Sequence, residues 1–250
     1  MTRIYFDHNA TTPVAAEVAD AMGTALRTVF GNPSSVHGHG QQAKTALDTA
    51  RAAVAHLIGG EPTEVVFTSG GSESDNLAIR GVAESLVSSR RRHLVASAIE
   101  HEAVLQTFKA LAKHGWTTTL VGVDESGVVP TDRLAAAVTE ETALVSIMHA
   151  NNEIGVLHPI AEIGALCKDR GVLFHTDATQ SFGKEPIDVH AMGIDLLSAS
   201  AHKLHGPKGK ARDTRAQRTH IHILAQSSEV RLAGLAPSLD GWSSPSSIQI

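Results

Sequence analysis

Short apolar runs of strand length recur along the chain at 64–68, 94–98, 117–123, 144–149, 172–176 and 195–201. Between several of them, residues 73–88, 102–114 and 160–170 carry apolar side chains every three or four positions, the spacing of a helix with one buried face. Such alternation predicts an α/β fold with a mostly parallel sheet and helices on both faces, because parallel neighbours need a crossover long enough to hold a helix. Ligands of such sheets bind beyond the carboxyl ends of the strands. Ahead of the first strand, Ala43, Ala46, Leu47, Ala50, Ala53, Val54 and Leu57 share one face of a predicted helix over 41–58. A second helix is predicted over 14–29, and Gly31-Asn32-Pro33-Ser34-Ser35 between the two reads as a loop. The pattern therefore divides the chain into an N-terminal arm with helices (1–60), a large domain (61–209) and a remainder (210–250). In that remainder the alternation stops, no Phe or Tyr occurs, and Ser243-Ser244-Pro245-Ser246-Ser247 has the composition of disorder. An aberrant, disordered tail is expected there.

Composition narrows the function. A chain of 250 residues, 42% of them hydrophobic, can bury a sizeable core. Its net charge of -5, with no Lys/Arg block, argues against a nucleic-acid binder and favours a small-molecule partner. No signal, transit or transmembrane segment is evident, so a soluble, cytoplasmic protein without membrane association is expected. Cys167 is the single cysteine, which excludes an intrachain disulfide and a cysteine metal cluster. The histidine pairs 37/39, 202/205 and 220/222 lack clustered co-ligands, and no metal site is expected.

The candidate chemistry gathers at predicted strand ends. Ser69-Gly70-Gly71-Ser72 joins the 64–68 run to a helix, a turn that offers backbone N–H groups and the positive end of a helix to a phosphate. The same residues fit a simple helix start, with Ser72 as cap and Asp75 three positions on. It lacks the lysine and spacing of a P-loop. Asp177 ends an apolar run, where it could keep a pyridine nitrogen protonated or merely form a turn. Gln180 could bond a ring oxygen, Ser200 and His202 could donate to a phosphate, and His101 could stack on a ring or simply precede a helix. Lys203 directly follows an apolar run and lies among histidines, an environment that lowers a lysine's pKa and suits a Schiff base. Lys208 and Lys210 compete for that role, but stand among glycines and proline.

With these residues in view, the chain resembles the NifS/IscS-type cysteine desulfurases, fold-type I enzymes that use pyridoxal 5'-phosphate. The matching stretches are Asp7-His8-Asn9-Ala10-Thr11-Thr12-Pro13, 30–35, 67–76, Glu100-His101, 148–155, 175–180 and the lysine motif 200–209. The resemblance implies that Gly71, Ser72, Ser200 and His202 hold the phosphate and that His101 stacks on the ring. It further implies that Asn152 and Gln180 contact the ring oxygen or substrate, that Asp177 pairs with the ring nitrogen and that Lys203 binds the cofactor covalently. Asn9 and Asn32 would lie near the substrate. Also implied are L-cysteine as substrate, a homodimer with shared sites, and a sulfur-acceptor or scaffold protein in iron–sulfur cluster or thiolation pathways.

The resemblance stops near residue 209. The persulfide-forming cysteine of the family lies beyond the lysine motif, and no cysteine occurs there. Cys167 falls on the apolar side of a predicted helix and reads as a buried structural thiol. The small C-terminal domain is expected to be largely missing, and activity is expected to be impaired. Abrupt loss of pattern inside a motif is what a frameshift, a sequencing error or a pseudogene produces; translating the DNA in the other frames past codon 209 tests this. Other readings are a different fold-type I enzyme, such as a selenocysteine lyase or an aminotransferase, and a non-catalytic fragment that binds an intact relative.

Overall fold

The computed structural model describes residues 3–208 and the backbone of 222–226. One sheet organises the chain. Its strands are β1 (Val65–Thr68), β2 (His93–Ser97), β3 (Thr117–Val121), β4 (Thr142–Ser146), β5 (Leu173–Asp177), β6 (Leu196–Ser200) and β7 (His222–Gln226), in the order β1-β7-β6-β5-β4-β2-β3. All neighbours from β6 to β3 run parallel, and β7 runs antiparallel between β1 and β6. The helices are α1 (Ala16–Thr28), α2 (Gly38–Leu57), α3 (Gly71–Ser85), α4 (Glu102–Ala112), α5 (Thr131–Ala137) and α6 (Ile160–Asp169).

The two sides of the sheet carry separate cores, as a strand period of two requires. On one side Leu94, Ala96, Leu144 and Leu196 meet Ala78, Ile79 and Val82 of α3 and Val104, Phe108 and Leu111 of α4. On the other, Val95, Val145, Phe174 and Leu197 meet Val54 of α2, Leu134 of α5, and Ile163 and Cys167 of α6. Parallel strands buried on both faces read as continuous apolar runs, which is why they stood out in the sequence. α1 contributes no buried residue.

Two elements differ from expectation. α5 was not anticipated, because seven residues after Pro130 are too few to display a helical period. β7 lies inside the stretch expected to be disordered: five residues of it complete the sheet by antiparallel pairing. Apart from β7, residues 209–250 lie outside the described residues. Among the described residues, no helix is long and apolar enough to cross a membrane.

Candidate active site

The carboxyl ends of β5 and β6, the start of α3 and the turns after β2 and β4 enclose a cleft of about 460 Å³. Gly71, Ser72, His101, Asn152, Asp177, Gln180, Ser200, His202 and Lys203 all line it. Asp7, Asn9, Asp75 and Thr179 line it as well.

Lys203 sits in a single 3-10 turn, Ala201–Lys203, that follows β6 without a linker. The turn doubles back sharply: the Gly206 N–H donates to the Ala201 carbonyl at 2.8 Å, and a Cβ at Gly206 would come within 2.6 Å of the Ala201 Cβ. The N-terminal arm fastens it. Thr12 donates from N–H and Oγ1 to the His202 carbonyl at 2.9 and 3.0 Å, and its Oγ1 accepts from the His205 N–H at 2.7 Å. Lys203 Nζ and Gln180 Nε2 both donate to the Asn9 carbonyl, and Asn9 Nδ2 donates to the Asn152 carbonyl at 3.2 Å. The Asp7-to-Pro13 stretch thus ties together four cleft residues, Asn152, Gln180, His202 and Lys203, from three parts of the sequence. Partial burial, then the neighbouring Lys184, lowers the Lys203 amine below its ordinary range, with Asp177 and Asp7 opposing.

At the opposite wall, β1 enters α3 through Gly70. The N-cap of α3 is Gly70 rather than Ser72, and no side chain caps it, so the helix start faces the cleft with open backbone donors. A buried hydrogen bond of 2.7 Å between Thr68 and Ser74 locks the strand to the helix. Gly71 packs closely: a Cβ there would meet Thr179 Oγ1 at 3.3 Å and Ser200 Cβ at 3.6 Å. The buried Ser200 Oγ has no partner of its own. Burial, then Lys203 and Lys208, lowers the His202 pKa, which favours the neutral ring.

The floor is Asp177, whose Oδ1 accepts from the Thr179 N–H at 2.9 Å. Beneath it lie buried carboxyls that sequence reasoning missed. Glu100 accepts from the Met148 N–H at 2.7 Å, while its Oε2 has no partner. Burial pushes Glu100 and Asp75 well above the usual carboxylate range, and Asp177 pushes further in the same direction. Asp75 was read only as part of a helix start, although its spacing of one turn from Gly71 was a usable signal.

His101 caps α4 by accepting from the Ala103 N–H through Nδ1 at 3.2 Å, and it lines the cleft. Asn151 is structural, holding Ile99 and the 153–154 backbone, and thereby aims Asn152 inward. Asn32 does not line the cleft of this chain; its Oδ1 accepts from the Ser34 N–H in a local turn. Cys167 is on the buried face of α6, its thiol pushed up to about 12 by burial and then by Asp195. Among the described residues, no group of His, Cys, Asp and Glu is placed to hold a metal ion.

The aminotransferase class-V family profile matches residues 4–211. The chain belongs to this family. Among curated members, it is 50% identical to the cysteine desulfurase IscS of Shewanella sediminis (strain HAW-EB3) over 209 residues, covering 82% of this chain and 52% of that protein. It is 46% identical to the IscS of Dictyoglomus turgidum over 221 residues, covering 88% and 56%. It thus spans about half the length of the curated relatives it matches. A solved NifS-like protein superposes with a TM-score of 0.86 at 39% identity, covering 94% of this chain and 62% of that one. A structure described as SspA in complex with cysteine gives 0.85 at 38%, covering 94% and 65%.

Membership of the class-V aminotransferases implies pyridoxal phosphate as cofactor, and the residues present fit it. The open helix start beside an unpartnered Ser200 hydroxyl and a side-chain-free Gly71 suits a phosphate. A carboxyl at the floor and a lysine amine in the same cleft suit the two ends of a pyridine aldehyde.

Proposed function

We propose that this chain carries the cofactor half of a cysteine desulfurase, acting on L-cysteine with pyridoxal phosphate in the cleft described above. The observation that carries the reading is convergence: residues from 9 to 203 that matched the desulfurase motifs line one cleft at the strand ends.

When bound, the cofactor supplies an electron-withdrawing ring that stabilises charge developing on the substrate. The chain's own residues do the rest. Gly71 and Ser72 offer N–H groups, and Ser200 and His202 offer side-chain donors, to the phosphate. Asp177 holds a proton at the ring nitrogen by carboxylate attraction. His101, its Nδ1 committed to Ala103, keeps a fixed ring plane over the cleft. The amides of Asn152 and Gln180 orient the ring oxygen and the substrate. Lys203 holds the aldehyde carbon and moves a proton through Nζ, a role eased by its lowered pKa. In the net reaction the Cβ–S bond of cysteine breaks, an acceptor thiol takes the sulfur as a persulfide, and alanine leaves.

Cys167 is not that acceptor, since it is 1% exposed and its thiol stays protonated at neutral pH. The acceptor is a thiol other than Cys167. A second copy of the chain is the proposed partner, because Ile4, Phe6, Phe30 and Val36 are 75, 86, 69 and 93% exposed on the arm and the α1–α2 loop.

The test is reconstitution of the full chain with pyridoxal phosphate. A visible absorbance band is expected, with loss of that band in Lys203→Ala. Addition of L-cysteine with a small-molecule thiol should then yield alanine, unchanged in Cys167→Ser. Selenocysteine turnover without cysteine turnover, or no visible band at all, would reverse the assignment.

A further inference from the structure

The α3-facing side of the sheet changes character along its strands. Near their amino ends it is apolar, with Leu144 and Leu196 packed against α3 and α4. Two residues on, the same face carries Ser146, His175 and Ser198, all fully buried. Ser146 Oγ lies 2.9 Å from His175 Nδ1, and Ser198 Oγ lies 3.0 Å from His175 Nε2. α3 sets Asp75 against this chain of hydrogen bonds, one turn beyond Gly71 and therefore on the same face of the helix. The Ser198 hydroxyl reaches the Asp75 carboxyl, and Asp75 Oδ1 lies 3.8 Å from His175 Nε2. Asp75 is 1% exposed, yet it lines the cleft, and its Oδ1 has no hydrogen-bond partner.

A carboxylate buried this deeply needs a cation or several donors. Among the described residues, the titratable groups that face Asp75 are His175 and Asp177 from β5 and Glu100 from the turn after β2, and none of them is a lysine or arginine. His175 does not supply the charge, because burial holds its pKa near about 3. A neutral arrangement gives each contact of the chain one donor and one acceptor: Asp75 donates to Ser198, Ser198 donates to His175 Nε2, and His175 Nδ1–H donates to Ser146. Hydrogen bonding alone would allow the reverse direction with an ionised Asp75. Burial without a cation, in company with the carboxyls of Asp177 and Glu100, disfavours that direction, as for any carboxyls sharing a site.

We propose that Asp75 is a positioning residue of the cleft: a neutral carboxylic acid, its proton directed to Ser198, that braces the floor beside Asp177. The proposal rests on the assignment of Asp177 to the ring nitrogen, but its first test needs no cofactor. Infrared difference spectra of the apo full chain against Asp75→Asn at neutral pH should show a protonated-carboxyl stretch in wild type that the variant lacks. Absence of that band overturns the proposal. Pyridoxal phosphate titration then tests the bracing role. Asp75→Ala should weaken binding about ten-fold, the equivalent of one hydrogen bond at ~1.4 kcal/mol. Asp75→Asn, whose amide can still donate to Ser198, should recover most of that loss. Equal weakening by both variants with unchanged apo melting temperatures would show that the charge of Asp75 is used, and wild-type affinity in Asp75→Ala would show that Asp75 has no role; either overturns the proposal. If wild type binds no pyridoxal phosphate, the functional reading falls, while the infrared result still decides the state of Asp75.

Discussion

His175 shows how one buried side chain can set the acid limit of the molecule. Its ring is fully enclosed between Ser146 and Ser198 and stays neutral down to about pH 3 in the folded chain. In the unfolded chain it takes up a proton near the ordinary histidine value of ~6.5. Between those values the unfolded state binds the extra proton, so stability falls on acidification by up to ~1.4 kcal/mol per pH unit, and above that window the contribution is flat. Asp75 and Glu100 act with the opposite sign: their raised pKa values mean that the folded state holds the extra proton, and their contribution declines as pH rises above the usual carboxylate range. His175→Gln keeps an amide for both serines and deletes only the first effect. Denaturant unfolding in steps from neutral to acid should give a stability curve less steep than wild type by about one proton. Parallel curves would show that His175 titrates alike in both states.

At the scale of elements, the close approach of α6 to the turn before β6 depends on two glycines. A Cβ on Gly164 would lie 1.9 Å from the Met192 carbonyl oxygen, and Gly193 opposite has φ +61. Backbone cannot yield as a flexible side chain can, so Gly164→Ala should destabilise by about 1–3 kcal/mol or more, a drop of several degrees in thermal midpoint. A variant melting with wild type would contradict the packing described. Such contacts also mark what sequence could and could not reveal. β4, β5 and β6 were legible because burial on both faces draws apolar residues to consecutive positions, as at Ala143-Leu144-Val145, Leu173-Phe174 and Leu196-Leu197. Lys203 and Asp177 were legible because they stand at the ends of those runs. β7 was not: it owes its place to pairing with β1 and β6, partners far apart in sequence, and its surroundings lack any apolar period. Asp75 was hidden for a related reason, since only the crossing of α3 over β5 and β6 turns an ordinary helix acid into a buried one.

For the whole molecule, the N-terminal arm raises a question of balance. Its Phe6 and Val36 in the loop that follows α1 leave large apolar surfaces in water, and α1 has no fully buried residue. Exposed apolar area costs roughly 25 cal/mol per Å² relative to burial, which favours covering this face with a second copy. Yet the same arm grips the lysine turn through Thr12 and meets Lys203 and Gln180 through Asn9. Association and cofactor binding should therefore be coupled: whatever orders the arm in a dimer also steadies the cleft. Light scattering on the full chain at micromolar concentration should give twice the chain mass. Phe6→Asp with Val36→Asp touches no residue that lines the cleft, but should shift the population to monomer and weaken pyridoxal phosphate binding together. A chain monomeric from the start, or a monomeric double variant that binds pyridoxal phosphate as tightly as wild type, would show that the arm grips the cleft without help from a partner.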